Sequence, residues 1–167
     1  IENYPEDKVD MLEAPYCPHD IPKEGTREVP LTREVFIERD DFMENPPKKF
    51  YRLSPGNEVR LRYSYVIRCN EVIKNDAGEV VEIRCSYDPD TLGKNPEGRK
   101  VRGAIHWVSA TEAIEAEVRL YDRLFSIEQP DAYDGDFKDT MNANSLSVQK
   151  GFVEPSVKNT ASGDRFQ

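Results

Sequence analysis

Val59-Arg60-Leu61-Arg62-Tyr63-Ser64-Tyr65-Val66-Ile67-Arg68-Cys69 alternates without a break. Val59, Leu61, Tyr63, Tyr65, Ile67 and Cys69 share one parity; Arg60, Arg62, Ser64, Val66 and Arg68 share the other. A repeat of two is the side-chain repeat of a β-strand, so the run predicts a strand with an apolar face inward and three arginines on the opposite face. Downstream, Asn75-Asp76-Ala77-Gly78 is a turn signal, because Asn and Asp bond their own backbone and Gly accepts positive φ. Val80-Val81-Glu82-Ile83-Arg84-Cys85-Ser86-Tyr87 is then the returning strand of a hairpin.

Further out, a polar loop runs through Asp88-Pro89-Asp90 and Lys94–Gly98, and Val101–Val108 reads as another strand. Gly103 inside that strand predicts a bulge or a close backbone approach. Upstream, Arg27–Leu31 and Glu34–Ile37 predict short strands, with Pro30 favouring an edge. Asp40–Met43 predicts a helical turn, and Pro46-Pro47 a break between two parts. Ser109-Ala110-Thr111-Glu112 has the spacing of a capping box and predicts the start of a short helix. Glu117–Phe125 fits strand or helix, Asp131–Asn144 is a polar loop, and Leu146-Ser147-Val148 a late strand. Many short strands punctuated by Pro and Gly predict an all-β architecture of barrels with short helical turns.

The chain has 167 residues, enough for one medium domain or two small ones with a real core. No apolar run approaches the roughly 20 residues a membrane helix needs. The acidic opening Ile1-Glu2-Asn3-Tyr4-Pro5-Glu6-Asp7 has no initiator Met, does not resemble a signal peptide, and reads as a stretch of a longer protein. Three cysteines, Cys17, Cys69 and Cys85, make no disulfide framework and point to a reducing cytoplasm. Cys17-Pro18-His19 hints at metal, but His106 is the only other histidine and there is no CxxC pair, so four soft zinc ligands cannot be assembled. The net charge of -9 argues against nucleic acid when taken alone. It hides a split: between Pro46 and Ile105 there are 12 Lys and Arg against 8 Asp and Glu. The net negative charge therefore lies outside that segment, which can offer one face to an anionic partner.

Catalytic patterns are missing: there is no G-x-G-x-x-G, P-loop, G-x-S-x-G or H-E-x-x-H. Asp88-Pro89-Asp90 brings two carboxylates close, but in a Pro-kinked turn better read as solvated than as an acid/base pair. The feature with chemistry in it is Lys48-Lys49-Phe50-Tyr51-Arg52, followed by Arg60 and Arg62. Cations interleaved with aromatics suit an unstacked RNA strand: the cations neutralise phosphate, rings stack on bases, and a guanidinium fork can hydrogen-bond a base edge. Basic strand faces also occur in proteins that never meet RNA, and this pattern alone leaves both readings open.

Val59-Arg60-Leu61-Arg62 with Tyr65-Val66-Ile67 resembles a stretch of the glutaminyl-tRNA synthetases. So do Tyr87–Leu92, Gly98-Arg99-Lys100-Val101, Ile105–Ser109, Val118–Phe125 and Gly151–Ser156, in order over nearly the whole chain. The resemblance implies two anticodon-binding β-barrels: a discontinuous proximal one from 1–46 and 115–167, and a distal one inserted at 47–114. It implies that Arg60 and Arg62 hold the first anticodon base and its backbone, and that Arg52 contacts the third. Lys49 stands where some bacterial members have glutamine, and Tyr51 where they have lysine; Tyr51 could stack where a lysine would meet phosphate. Asp20 falls where those members have asparagine near the anticodon loop. Gln167 matches a glutamine whose segment reads the middle base. Neither class I signature, of the His-Ile-Gly-His or Lys-Met-Ser-Lys type, occurs here. Mg-ATP, glutamine and the acceptor end therefore fall to a catalytic half, with no catalytic, cofactor or metal residues expected in this stretch. The partners implied are tRNA(Gln) through its anticodon loop and that catalytic half, in a cytoplasmic monomer. Alternatives are the related region of an archaeal- or eukaryotic-type glutamyl-tRNA synthetase, a stand-alone RNA-binding barrel, and a protein-interaction β domain.

Overall fold

The computed structural model describes residues 1–16 and 25–163. Ten strands follow in chain order: β1 (Asp10–Pro15), β2 (Thr26–Leu31), β3 (Val35–Ile37), β4 (Glu58–Leu61), β5 (Val66–Lys74), β6 (Val80–Asp88), β7 (Ala104–Ile105), β8 (Trp107–Ser109), β9 (Ile114–Tyr121) and β10 (Leu146–Val153). The helical segments among the described residues are short 3-10 turns, one of them Arg39–Asp41, overlapping the turn expected at Asp40–Met43. The molecule is thus all-β. Its ladders make one four-stranded sheet, in the order β6-β5-β4-β7, and three strand pairs, β1–β2, β3–β8 and β9–β10. None of these ladders among the described residues closes a sheet on itself.

The alternating run from Val59 to Cys69 is not one strand. It ends at Leu61, turns through Arg62-Tyr63-Ser64 and returns as β5, pairing Val59 with Ile67 and Arg60 with Val66. Directly paired residues of an antiparallel ladder point to the same face. Here each pair also shares sequence parity, so the alternation survives the reversal and Val59, Leu61, Tyr65, Ile67 and Cys69 still enter one core. The hairpin after it forms as expected. The Asn75 side chain accepts from the N–H groups of Ala77 and Glu79, Gly78 takes φ +80, and β6 returns along β5.

Two further expectations change. Val101–Val108 breaks into β7 and β8 at His106, because β7 pairs with β4 while β8 pairs with β3. Ser109 does cap, its Oγ accepting from Glu112 N–H at 3.1 Å, but no helix follows. The single turn closed by Ala113 N–H on Ser109 C=O leads straight into β9, where Glu117–Tyr121 settles as strand. β1 was not legible beforehand, although Leu12 and Ala14 alternate inward.

The chain forms two compact units, Ile1–Ile114 with Glu154–Gln167, and Glu115–Val153. The first holds one core, running from Tyr4 and Leu12 through Leu31, Leu53 and Leu61 to Trp107. At its edge the Tyr4 hydroxyl donates to Asp10 at 2.8 Å, Tyr65 donates to the same carboxylate at 3.3 Å, and Lys8 pairs with it at 2.8 Å. Tyr87 packs edge-on to both tyrosine rings. The second unit is the β9–β10 pair with the loop between them, where Phe125 bridges to Met141 and meets Phe137 edge-on.

Candidate nucleic-acid interface

The segment Phe50-Tyr51-Arg52 enters on a backbone strained at Lys49, which has φ +72. It runs past Gly103 so closely that a Cβ on that glycine would lie 1.7 Å from the Tyr51 carbonyl oxygen. This is the close approach expected at Gly103, and it clamps the aromatic segment against the strand that β4 pairs with, where Gly103 C=O accepts Arg60 N–H at 2.9 Å. Between the two segments opens a groove of about 460 Å³, inside the range of about 300–1,000 Å³ usual for ligand sites. Its walls carry Phe50, Tyr51, Arg52, Arg68, Arg99, Lys100 and Arg102, with Glu58 as the one carboxylate. Five cations line the groove, and although Asp41 and Asp88 behind it pair with two of them, the concave surface keeps a net positive charge.

These cations differ in freedom. Arg52 is paired through Nε to Asp41 at 2.7 Å. Arg99 bridges Glu58 at 2.8 Å and Asp88 at 2.6 Å, and its hydrogen bond holds the Asp88 carboxyl below its ordinary range. The Asp88 side chain also caps the 3-10 turn Pro89–Thr91, so Asp88-Pro89-Asp90 is a structural turn and not an acid/base pair. Arg102 lies 5.5 Å from the Tyr51 ring centroid and donates to its hydroxyl at 3.2 Å. Such a cation over a ring contributes about 0.5–1 kcal/mol at exposed sites and orients both groups. Arg68 and Lys100 are exposed, and no carboxylate pairs with either among the described residues.

The arginines singled out in the sequence do not form one face, and this corrects the expectation drawn from the alternation. Arg60 faces the protein: its guanidinium donates to the carbonyls of Ser64 (2.7 Å), Thr91 (2.7 Å) and Lys94 (2.6 Å). Arg62 lies in the turn beyond β4 and is exposed beside a separate shallow hollow with Tyr63, His106 and Trp107. Arg52 and Tyr51 line the groove, while Lys49 is exposed at the head of their segment. Asp20, Gln167 and the Cys17-Pro18-His19 stretch lie outside the described residues. Arg68, Arg99, Lys100 and Arg102 were not chosen as site residues. The signal was present in Arg99-Lys100-Val101-Arg102, as dense in cations as Lys48–Arg52, and only the fold brings the two runs together. Among the described residues no three His, Cys, Asp or Glu side chains gather to hold a metal ion, and no helix is long and apolar enough to cross a membrane.

An all-β scaffold presenting a cationic groove with rings in its wall defines a candidate module for binding single-stranded nucleic acid. Residues 1–88 and 104–167 each match the family described as tRNA synthetases class I (E and Q), anti-codon binding domain, and the chain belongs to that family. It is 58% identical over 158 residues to the glutamine–tRNA ligase of Nitrobacter hamburgensis, covering 94% of this chain and 28% of that protein. It is 56% identical over 170 residues to that of Pseudomonas syringae pv. tomato and 52% over 169 to that of Clostridium kluyveri, in each case over 100% of this chain and 30% of the relative. The chain therefore spans less than a third of the length of these relatives.

Proposed function

We propose that this chain binds the anticodon loop of tRNA(Gln), as the recognition part of a ligase that joins glutamine to that tRNA with Mg-ATP handled outside this stretch. The observation that carries the reading is the groove, whose aromatic–cationic segment Phe50–Arg52 faces the basic run Arg99–Arg102 across a cavity large enough for a splayed nucleotide. Arg68 and Lys100 supply free charge for phosphate, and Tyr51, already oriented by Arg102, supplies a face for a base. Arg52 can exchange its Asp41 partner for an incoming acceptor, since its side chain is 53% exposed. Arg62 serves the same loop from its separate hollow, and Arg60 acts by holding the turn that carries Arg62.

In this reading 47–114, which contains every groove residue, is the distal anticodon-binding barrel, and 1–46 with 115–167 the proximal one. Expressing 47–114 alone and asking whether it folds and binds RNA tests that division. The protein acts as a monomer in the cytoplasm. The test of the function is filter binding of glutamine tRNA, glutamate tRNA and a glutamine tRNA with a changed anticodon. The expected result is preference for the first, with the logarithm of the affinity falling linearly in log salt as released counterions require. Equal affinity for all three refutes anticodon reading, and preference for glutamate tRNA assigns the chain to the glutamyl side of its family.

A further inference from the structure

Tyr63 is held in a conformation that its side chain disfavours. Its φ is +60, in the left-handed region where a bulky residue is an outlier. The turn Leu61–Ser64 is closed by Ser64 N–H on Leu61 C=O at 2.8 Å. Tyr63 is its third residue, a place where positive φ calls for Gly or Asn. Backbone strain of this kind lasts only where the surroundings over-determine it, and it gathers at ligand clamps.

The surroundings here are specific. Arg60 grips the Ser64 carbonyl at 2.7 Å on one side of Tyr63. On the other, the indole N–H of buried Trp107 donates to Arg62 C=O at 3.0 Å, and Arg62 N–H donates to Ile105 C=O at 3.0 Å. The peptide entering the strained residue is therefore tied to the core through Trp107, and the residues on either side of it, Arg62 and Ser64, are held by Ile105 and Arg60. Yet the Tyr63 ring is not core: it is 37% exposed, whereas Leu61 and Tyr65, two residues either way, are 0% and 8% exposed. It borders the shallow hollow beside Arg62, an exposed residue. A half-open ring on an immobilised turn next to an exposed cation is a ready-made stacking surface, because its order is established before any ligand arrives.

We propose that Tyr63 is a stacking platform for an unpaired nucleobase, with Arg62 beside it for the phosphate or base edge. This inference rests on the RNA-binding reading and adds a contact outside the groove. A ring that merely covered Leu12 and Val29 at the floor of the hollow would matter for stability and not for RNA.

The experiment compares Tyr63→Asn and Tyr63→Phe in the 167-residue chain, by thermal melting and by anisotropy with a glutamine tRNA anticodon stem-loop. A second arm uses loops carrying 2-aminopurine at single anticodon-loop positions. Tyr63→Asn is expected to melt no lower than wild type, since Asn tolerates the left-handed region, and to bind RNA about tenfold more weakly, within the range of one lost base stack. Tyr63→Phe is expected to bind within about twofold of wild type, because stacking needs only the ring. One 2-aminopurine position is expected to be quenched by wild type and Tyr63→Phe and not by Tyr63→Asn. A Tyr63→Asn variant that melts lower but binds RNA as wild type does overturns the platform and leaves the groove reading standing. Absence of salt-dependent RNA binding by wild type overturns both. Should Tyr63→Asn not fold, the platform still falls if wild type quenches no loop position or if Tyr63→Phe loses affinity.

Discussion

Replacing Arg60 by alanine tests whether that arginine serves the fold or the RNA. Its guanidinium spans three main-chain carbonyls, at 2.7, 2.7 and 2.6 Å, on the turn after β4 and on the loop following β6. Hydrogen bonds to a charged donor contribute about 1.5–3 kcal/mol each when shielded. The Lys94 carbonyl is exposed and will rebond to water, whereas those of Ser64 and Thr91 sit in partly buried contacts. Counting those two at the low end predicts a loss of about 3 kcal/mol. For a chain of this size that lowers Tm by about 6–12 °C. Arg60→Lys should recover only part of this, because an ammonium group cannot present the planar fork that meets three carbonyls at once. Differential scanning calorimetry measures the shift, and RNA anisotropy on the folded variant measures the rest. An Arg60→Ala protein with wild-type Tm and lost RNA affinity would refute the structural assignment and put the guanidinium directly on the ligand.

Gly103→Ala should be costly for a different reason. The added carbon would lie 1.7 Å from a backbone oxygen, which cannot swing aside, so the strand must move at a cost of about 3 kcal/mol, the top of the usual overpacking range. Urea unfolding reads this, with RNA affinity falling as Tyr51 is displaced, and an unchanged midpoint would contradict the close packing seen here. Asp10 predicts an acid response. Burial raises its pKa, but hydrogen bonds from Lys8, Tyr4 and Tyr65 outweigh that and hold it below the ordinary 3.8. A depressed carboxyl adds stability that is present above the unfolded value and lost as pH falls through the folded one. Wild type should therefore lose stability below about pH 4 more steeply than Asp10→Asn; parallel curves from pH 6 to 2 would show that this carboxylate is not linked to folding.

Much of the local structure could be read in advance because its causes are local. Asn75 and Gly78 hold the chemistry of their turn within five residues, so the β5–β6 hairpin was legible. Gly103 was legible as a close approach, though not what approached it. The turn at Tyr63 was hidden for a physical reason: an antiparallel reversal that pairs residues of equal parity leaves a period-two pattern unchanged, and tyrosine is no signal for positive φ. Ser109 formed its cap without a helix, since the downstream residues gained more by pairing β9 with β10.

The sequence by itself determined the all-β class, the basic middle segment and the family, because periodicity, charge and ordered motif matches do not depend on where the chain goes next. Tertiary structure alone decided which cations share a site. Arg52 and Arg102 lie fifty residues apart in sequence and line one groove because Gly103 lets the Tyr51 backbone pass. Arg60 and Arg62, two residues apart, are separated because a clamped turn aims one at backbone carbonyls and the other at solvent.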